Sequence, residues 1–123
     1  MSPTFEELIQ HGLAHGLTDD AAFAYAVLMW WGADYNYPPT PIVSGRRDPH
    51  RQRSLRERWL RGDRAGLVAE PALRSSHTEG TGFDLQRVPH LWVYGALAPH
   101  VPMRWGGNFR RPDPVHFDLG THV

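Results

Sequence analysis

Prolines and glycines limit every helix and strand that this chain can form to a short segment. The sequence has 12 glycines and 11 prolines among 123 residues. Glycine accepts a positive φ and so ends a helix readily, whereas proline lacks the backbone N–H that would continue one. The strongest breaks are the segment "YPPTP" at 37–41 and the pair Pro112 and Pro114. A length of 123 residues suits one domain, so we expect a single domain of short elements.

Residues 1–36 are expected to form two N-terminal helices. The first begins at Thr4, where Glu7 stands three residues on and can complete a capping box, and it ends at Gly16. The second begins at Thr18, and its apolar residues recur at helical spacing, which predicts a buried face. The residues expected on that face are Phe23, Val27, Trp30 and Trp31.

A third helix is predicted over residues 48–62. Asp48 is placed to cap it, and Pro49 occupies the first helical position, where its missing N–H costs nothing. Its expected apolar stripe consists of Leu55, Trp59 and Leu60. The following segment, 63–74, is predicted to be a loop.

Short strands are expected in the rest of the chain, together with one short helix. The strand candidates are 41–45, 81–88, 101–107 and 114–119, and the helix candidate is 89–100. Helices mixed with separated short strands favour an α+β fold, with a small antiparallel or mixed sheet flanked by helices.

Composition excludes several kinds of function. The 13 basic and 13 acidic residues cancel, so we expect no nucleic-acid partner and no binding to anionic lipid. The absence of cysteine excludes disulfides, thiolate nucleophiles and zinc sites built from cysteine. No apolar run approaches 18 residues, so no membrane insertion is expected. The N-terminus lacks the basic and apolar regions of a secretory signal, which predicts synthesis in the cytoplasm.

The segment "SSHTEGTGFDL" (75–85) holds two potential metal ligands, His77 and Asp84. Gly80 and Gly82 make a continuous helix between them improbable, and a continuous strand would place them on opposite faces. A turn at "EGTG" would let both side chains converge. From these residues alone, a solvated loop with a surface histidine is the favoured alternative.

The segment "RPDPVHF" (111–117) supplies a third candidate ligand, His116, and a second carboxylate, Asp113. By itself, His116 on an apolar strand is better interpreted as a hydrogen-bonded core histidine. Together with His77 and Asp84, however, it makes a set of two histidines and one carboxylate, which is common in catalytic zinc sites and leaves a position for water. Asp113 would then be the additional carboxylate for proton transfer.

The pKa values of aspartate and water favour a metal beside such a base. A free aspartate has a pKa of about 3.9 and bulk water one of about 15.7, a gap equivalent to about 16 kcal/mol. Zinc lowers the pKa of bound water to about 7, which leaves a gap equivalent to about 4 kcal/mol. A carboxylate can act as proton acceptor and then as donor across that smaller gap.

Three segments, in order, resemble the zinc D-Ala-D-Ala carboxypeptidase and L-alanyl-D-glutamate endopeptidase family (peptidase family M15), most closely its phage endolysin branch. "SSHTEGTGFDL" resembles the motif S-x-H-x-x-G-x-A-x-D, and "WGGNFRRPDPVHFDL" resembles W-G-G followed by D/E-x-x-H-F. "VSGRRDPHRQRSL" resembles S-G-Y-R-S-x-x-x-Q-x-x-L. Departures are Arg46 for the tyrosine, Asp48 for the serine after the arginine, and Gly82 for the alanine. The catalytic motifs would occupy residues 41–119.

The resemblance implies a hedgehog/DD-peptidase-like fold and a site with one Zn²⁺. It implies that His77, Asp84 and His116 bind the metal and that Asp113 is the general base and acid. It further implies that Arg47 contacts the substrate and stabilises the oxyanion. The other residues assigned to substrate binding are Ser76, Gln52 and Trp105, the last as a wall of the cleft.

The function implied is cleavage of the stem peptide of peptidoglycan by a monomer, most specifically between L-alanine and D-glutamate. A D-Ala-D-Ala carboxypeptidase of the same family is one alternative. A second is a zinc-binding interaction module that has lost catalysis, and Asp113 beside a complete ligand set disfavours it. A third, a metal nuclease, is disfavoured by the neutral charge. The enzyme would act on the periplasmic or cell-wall polymer, and a phage origin fits the resemblance.

Overall fold

The computed structural model describes residues 2–67 and 76–120, apart from the side chains of residues 49, 51 and 52. The helices in this part of the chain are α1 (Phe5–Ala14), α2 (Asp19–Ala33), α3 (Pro49–Leu60), α4 (Ser76–Glu79) and α5 (Leu91–Leu97). The strands are β1 (Ile42–Ser44), β2 (Gly82–Leu85), β3 (Arg104–Trp105) and β4 (His116–Asp118). Two 3₁₀ turns, Ala98–His100 and Gly106–Asn108, flank β3.

The described strands form one antiparallel sheet in the order β1-β2-β4-β3. The predicted α+β class, with a small sheet flanked by helices, is confirmed. Each strand lies within its predicted segment but is shorter. Residues 68–74 of the predicted loop lie outside the described part of the chain.

The two N-terminal helices begin as the sequence predicts. The Thr4 hydroxyl accepts a hydrogen bond from the Glu7 backbone N–H at 3.1 Å, and the Glu7 carboxylate accepts one from the Thr4 N–H at 2.9 Å. This reciprocal pair is the predicted capping box. Thr18 caps α2 in a similar way through the N–H of Ala21. The third predicted cap is present as well, because Asp48 accepts from the N–H of His50.

The predicted buried face of α2 is wrong for two of its aromatic residues. Phe23 is 54% exposed and Trp30 is 52% exposed, while Val27 and Trp31 are partly buried. The face that packs consists mainly of small residues: Ala21, Ala22, Ala24, Tyr25, Ala26, Leu28 and Met29. Since α1 and α5 both approach α2 closely, alanine fits there and an indole does not. Phe23 and Trp30 instead contact Phe5 edge-to-face at the rim.

The predicted apolar stripe of α3 is wrong at Leu60, which is 66% exposed. Leu55 and Trp59 are only partly buried. The guanidinium of Arg64 covers the Trp59 ring at 4.0 Å from its centroid, so local packing replaces burial in the core.

The sheet separates the hydrophobic core from a polar face. Phe83 and Phe117 are paired across β2 and β4 and stack at 5.9 Å, and Tyr25 of α2 packs edge-on against Phe83. Because side chains alternate along a strand, the neighbouring pair Asp84 and His116 points to the opposite face. That face carries the candidate functional site.

No helix in the described part of the chain is long and apolar enough to cross a bilayer.

Candidate metal centre

Three side chains converge on the polar face of the sheet. His77, Asp84 and His116 each offer a ligand atom, and these atoms lie within 4.8 Å of one another. His77 Nε2 is 3.3 Å from Asp84 Oδ1, and His116 Nδ1 is 3.0 Å from the same oxygen. The two imidazole rings are 5.2 Å apart. The structure therefore brings together the three residues that the resemblance assigns to the metal.

A glycine turn brings His77 to the sheet, as the sequence predicts. His77 lies on the single helical turn α4, and Asp84 lies on β2. Gly80, between them, has φ +74°, and a Cβ there would lie 2.8 Å from the carbonyl oxygen of Gly16. A side chain would be strained and crowded at this position, so glycine permits both the turn and its close packing.

Each histidine presents a defined ring nitrogen to the centre. His77 Nδ1 lies 2.8 Å from the carbonyl oxygen of Gly45, which can only accept, so Nδ1 donates to it and Nε2 is the ring nitrogen that faces the centre. His116 Nε2 lies 2.7 Å from Asp118 Oδ2, which leaves Nδ1 to face Asp84. Hydrogen bonds of this kind orient metal-binding histidines. With Asp84 Oδ1, the inward atoms form a coherent donor set.

Asp118 and Arg104 complete the support of His116, and neither was identified from the sequence. Asp118 is fully buried at 0% exposure and accepts from Arg104 Nε at 2.8 Å and Nη2 at 3.0 Å. The Gly120 N–H donates to the same carboxylate at 2.7 Å. A signal was available in the pattern H-x-D, because residues two apart on a strand share a face. The partner Arg104 required the β3–β4 register, which pairs it with Asp118.

Charge interactions among these groups shift their pKa values. Burial lowers the pKa of His116, but hydrogen bonds to Asp118 and Asp84 outweigh it and raise the pKa to about 9. Burial raises the pKa of Asp84, yet hydrogen bonds from His116 and His77 hold it well below its usual range. Without metal, His116 is therefore protonated at neutral pH, and a metal ion must displace that proton in order to bind.

Removing the Asp118 carboxylate should weaken metal binding without removing a ligand. We expect Asp118→Ala to lower zinc affinity about 10–100-fold, because His116 loses the group that fixes its tautomer and ring orientation. Competition against a chromophoric chelator measures the effect. Arg104→Met is a milder variant for comparison. It should lower zinc affinity by a smaller factor, since the Asp118 carboxylate stays in place. An Asp118→Ala protein with wild-type zinc affinity would contradict this role.

Asp113 lies next to the three ligands in the turn before β4. Its backbone N–H donates to the Gly106 carbonyl at 2.8 Å, and its carbonyl accepts from the His116 N–H at 3.0 Å. Burial, followed by the negative charge of Asp84, raises the pKa of Asp113. A carboxyl group with a raised pKa near the ligands has the properties of a proton acceptor and donor.

Arg46 and Arg47 follow β1 and line a groove of about 970 Å³ together with His15 and Gly45. The Arg47 N–H donates to the His77 carbonyl at 2.7 Å, which ties its backbone directly to α4. Arg46 is exposed, and its Nε lies 3.4 Å from the carbonyl of Thr78. Both arginines therefore line this groove, which meets the centre at Gly45 and Arg47, whereas the three candidate ligands and Asp113 are not among its lining residues. Gln52 lies on α3, and its side chain is outside the described part of the structure.

The connection between α1 and α2 braces both loops of the centre. The His15 carbonyl accepts from the Arg46 N–H at 2.8 Å, and a Cβ on Gly45 would collide with His15. On the other side, the Thr18 N–H donates to the Gly80 carbonyl at 2.9 Å. Residues 15–18 therefore hold the loop that follows β1 and the turn that follows α4.

Ser76 and Trp105 lie behind the centre. Ser76 is 2% exposed, and its Oγ is 3.4 Å from His116 Nε2. The Trp105 indole packs against Gly95 and Gly107, and its N–H donates to the Pro114 carbonyl at 2.7 Å. Their described contacts are with the protein interior and with the turn that carries Asp113.

Gly82 stands where the family motif has alanine, and the structure leaves no room for a side chain there. A Cβ would overlap Ser76 Oγ and lie 2.6 Å from Ser76 Cβ and 2.9 Å from Asp118 Cβ. In this chain the serine occupies that space. Gly82 is therefore required by its neighbours.

We expect Gly82→Ala to lower the free energy of unfolding by about 1–3 kcal/mol, because an added methyl group must displace packed neighbours. It should also weaken zinc binding, since those neighbours contact His116. Chemical denaturation of the metal-free protein and chelator competition measure the two effects. Ser76→Gly in the same protein should restore part of both. No change in either quantity would show that the site can adapt to the larger residue.

No protein-family model matches the sequence, and no curated protein matches it either. Among solved structures, the L-Ala D-Glu endopeptidase ChiX of Serratia marcescens has a similar fold. The TM-score is 0.58, the match covers 97% of this chain and 88% of that chain, and the sequence identity is 19%. The likeness shows a shared fold over nearly the whole described chain.

Proposed function

We propose that this chain is a zinc-dependent peptidoglycan peptidase that cleaves the stem peptide between L-alanine and D-glutamate. The observation that carries the proposal is the convergence of His77 Nε2, Asp84 Oδ1 and His116 Nδ1, with Asp113 beside them. The fold shared with an L-Ala D-Glu endopeptidase supports it, as do the three family-like motifs in the sequence.

The donor set fits zinc. Two imidazole nitrogens and one carboxylate oxygen are typical of catalytic zinc sites, which keep a further position open. The orientation of both rings by Gly45 and Asp118 is the support that such a site needs. When bound, zinc lowers the pKa of water and polarises a carbonyl group.

Asp113 is proposed to move the proton. The attacking water loses a proton to its carboxylate, and the same proton then passes to the nitrogen of the leaving amine. The raised pKa of Asp113 suits the first transfer, because a carboxylate that binds a proton more tightly is a better acceptor. The adjacent prolines and the hydrogen bond to Gly106 hold its backbone in place.

Arg47 is proposed to contact the substrate from the groove wall. A guanidinium can grip a carboxylate of the stem peptide or stabilise the negative charge that grows on the scissile carbonyl. Its backbone link to His77 fixes its distance from the centre. We propose Gln52 as a further substrate contact along the same segment, and a monomer acting on cell-wall peptidoglycan as the working form.

Digestion of purified sacculi tests the proposal and distinguishes its alternatives. The zinc-loaded protein should release fragments with a new amino group on D-glutamate, identified by mass spectrometry, and chelation should stop the release. Loss of the terminal D-alanine alone would identify a carboxypeptidase instead. Stoichiometric zinc binding without cleavage of any muropeptide would identify a zinc-binding interaction module and overturn the proposed activity.

A further inference from the structure

We propose that Trp105 is a positioning residue for Asp113: its indole N–H holds the turn that places the carboxylate beside the metal ligands. The inference deepens the proposed function, because it rests on Asp113 as the proton-transfer group. It differs from the expectation that Trp105 forms a wall of the substrate cleft.

The indole is held in a slot made by two glycines. A Cβ on Gly95, in α5, would overlap the bridging atoms of the indole, and a Cβ on Gly107 would overlap its outer ring. Backbone at both positions therefore lies directly against the ring. Trp105 also lies in register with Phe117, which places it on β3 beside the buried strand β4. The position of the indole is thus fixed by backbone on more than one side.

The indole N–H contacts a turn, residues 112–114, that has few backbone N–H groups. Pro112 and Pro114 have no backbone N–H, so within residues 112–114 only Asp113 can donate, and it donates to Gly106. The Trp105 N–H donates to the Pro114 carbonyl at 2.7 Å. An indole nitrogen is a donor only, so this bond has a single direction.

These contacts fix both sides of Asp113. On its N-terminal side, the Asp113 N–H donates to the Gly106 carbonyl, and Gly106 also packs directly against the Asp113 carbonyl oxygen. On its C-terminal side, the Asp113 carbonyl accepts from the His116 N–H at 3.0 Å, the Pro114 carbonyl accepts from the indole, and the Val115 carbonyl accepts from the Leu85 N–H at 2.9 Å. Without the indole N–H, the turn would keep its backbone bonds to Gly106 and His116 but lose the side-chain bond at Pro114, the residue that follows Asp113.

Trp105→Phe tests the inference because it keeps an aromatic ring in the slot and removes the N–H, together with part of the bicyclic ring. We expect kcat on a purified muropeptide to fall roughly tenfold, which corresponds to the net free energy of about one hydrogen bond. KM and zinc affinity should stay at wild-type values. Trp92→Phe, on the exposed side of α5, is the matched control and should leave kcat unchanged.

A double-mutant cycle separates positioning from general packing. In an Asp113→Asn background, Trp105→Phe should cause no further loss of kcat, because the group that it positions is gone. An equal loss in both backgrounds would overturn the inference, as would a loss of zinc affinity that accounts for the fall in activity. Wild-type kcat in Trp105→Phe would overturn it as well.

A measurement without substrate keeps the inference independent of the proposed activity. In zinc-loaded protein with ¹³C-labelled aspartate, the Asp113 carboxyl signal is assigned by its absence in Asp113→Asn. Trp105→Phe should shift the pH midpoint of that signal, and Trp92→Phe should not. If the wild-type protein cleaves no muropeptide, the proposed function fails and this titration still decides the role of Trp105; an unchanged midpoint overturns that role.

Discussion

Replacing His116 with alanine is expected to abolish zinc binding and peptidoglycan cleavage together. The change removes the Nδ1 ligand and leaves only His77 and Asp84 to hold the metal. Zinc measured by mass spectrometry of the dialysed protein should fall from stoichiometric to background. Turnover of sacculi should fall with it, because no other group in the site can bring the pKa of water near 7.

A second ligand variant and a control variant make the His116 result interpretable. His116→Ala also leaves the partly buried Asp84 and the buried Asp118 without their shared partner, which can destabilise the fold. His77→Ala removes a ligand whose other ring nitrogen bonds only a backbone carbonyl, so it should lose zinc with less damage to folding. The exposed His100 provides the control, and His100→Ala should keep both metal and activity. A His116→Ala protein with full zinc and wild-type turnover would falsify the ligand assignment.

Asp113→Asn is expected to reduce kcat at least about a hundredfold while zinc remains bound, since general acid–base groups contribute about 10²–10⁴-fold. The amide keeps the shape of the side chain and the backbone bonds of the turn, but it cannot take the proton of the attacking water. Kinetics on a defined muropeptide and zinc analysis of the same preparation measure the two quantities side by side.

The control for Asp113 is Asp34→Asn, which makes the same chemical change at the exposed end of α2 and should leave kcat unaltered. A parallel loss of zinc in Asp113→Asn would place Asp113 in the support of the metal instead. Retained activity would remove it from proton transfer altogether.

Local chemistry made the fold class and the ligand set predictable. The capping box at Thr4, the cap at Thr18 and the turn at Gly80 depend on residues close in sequence, and each is present. The alternation of β2 and β4 follows from the strand period, which places Asp84 and His116 on one face once the strands pair. The motifs added the assignment of these residues as candidate ligands, which spacing alone left open.

Features that depend on distant packing were not predictable in the same way. The exposed positions of Phe23 and Trp30 follow from the close approach of α1 and α5 to α2, which helical periodicity does not contain. The bidentate hydrogen bonding of Arg104 to Asp118 depends on the β3–β4 register. The collision that excludes alanine at Gly82 comes from Ser76, six residues away in sequence but in direct contact in the fold.

The contacts of residues 15–18 connect the N-terminal helices to the candidate metal centre, although these residues contribute no candidate ligand. Arg46 and Gly80, on the two loops of the centre, bond to this one connection. Opening the α1–α2 hairpin would therefore release both loops at once, so the hairpin and the centre are expected to behave as one cooperative unfolding unit. Zinc, by binding only the closed form, would then stabilise helices that lie outside its coordination shell.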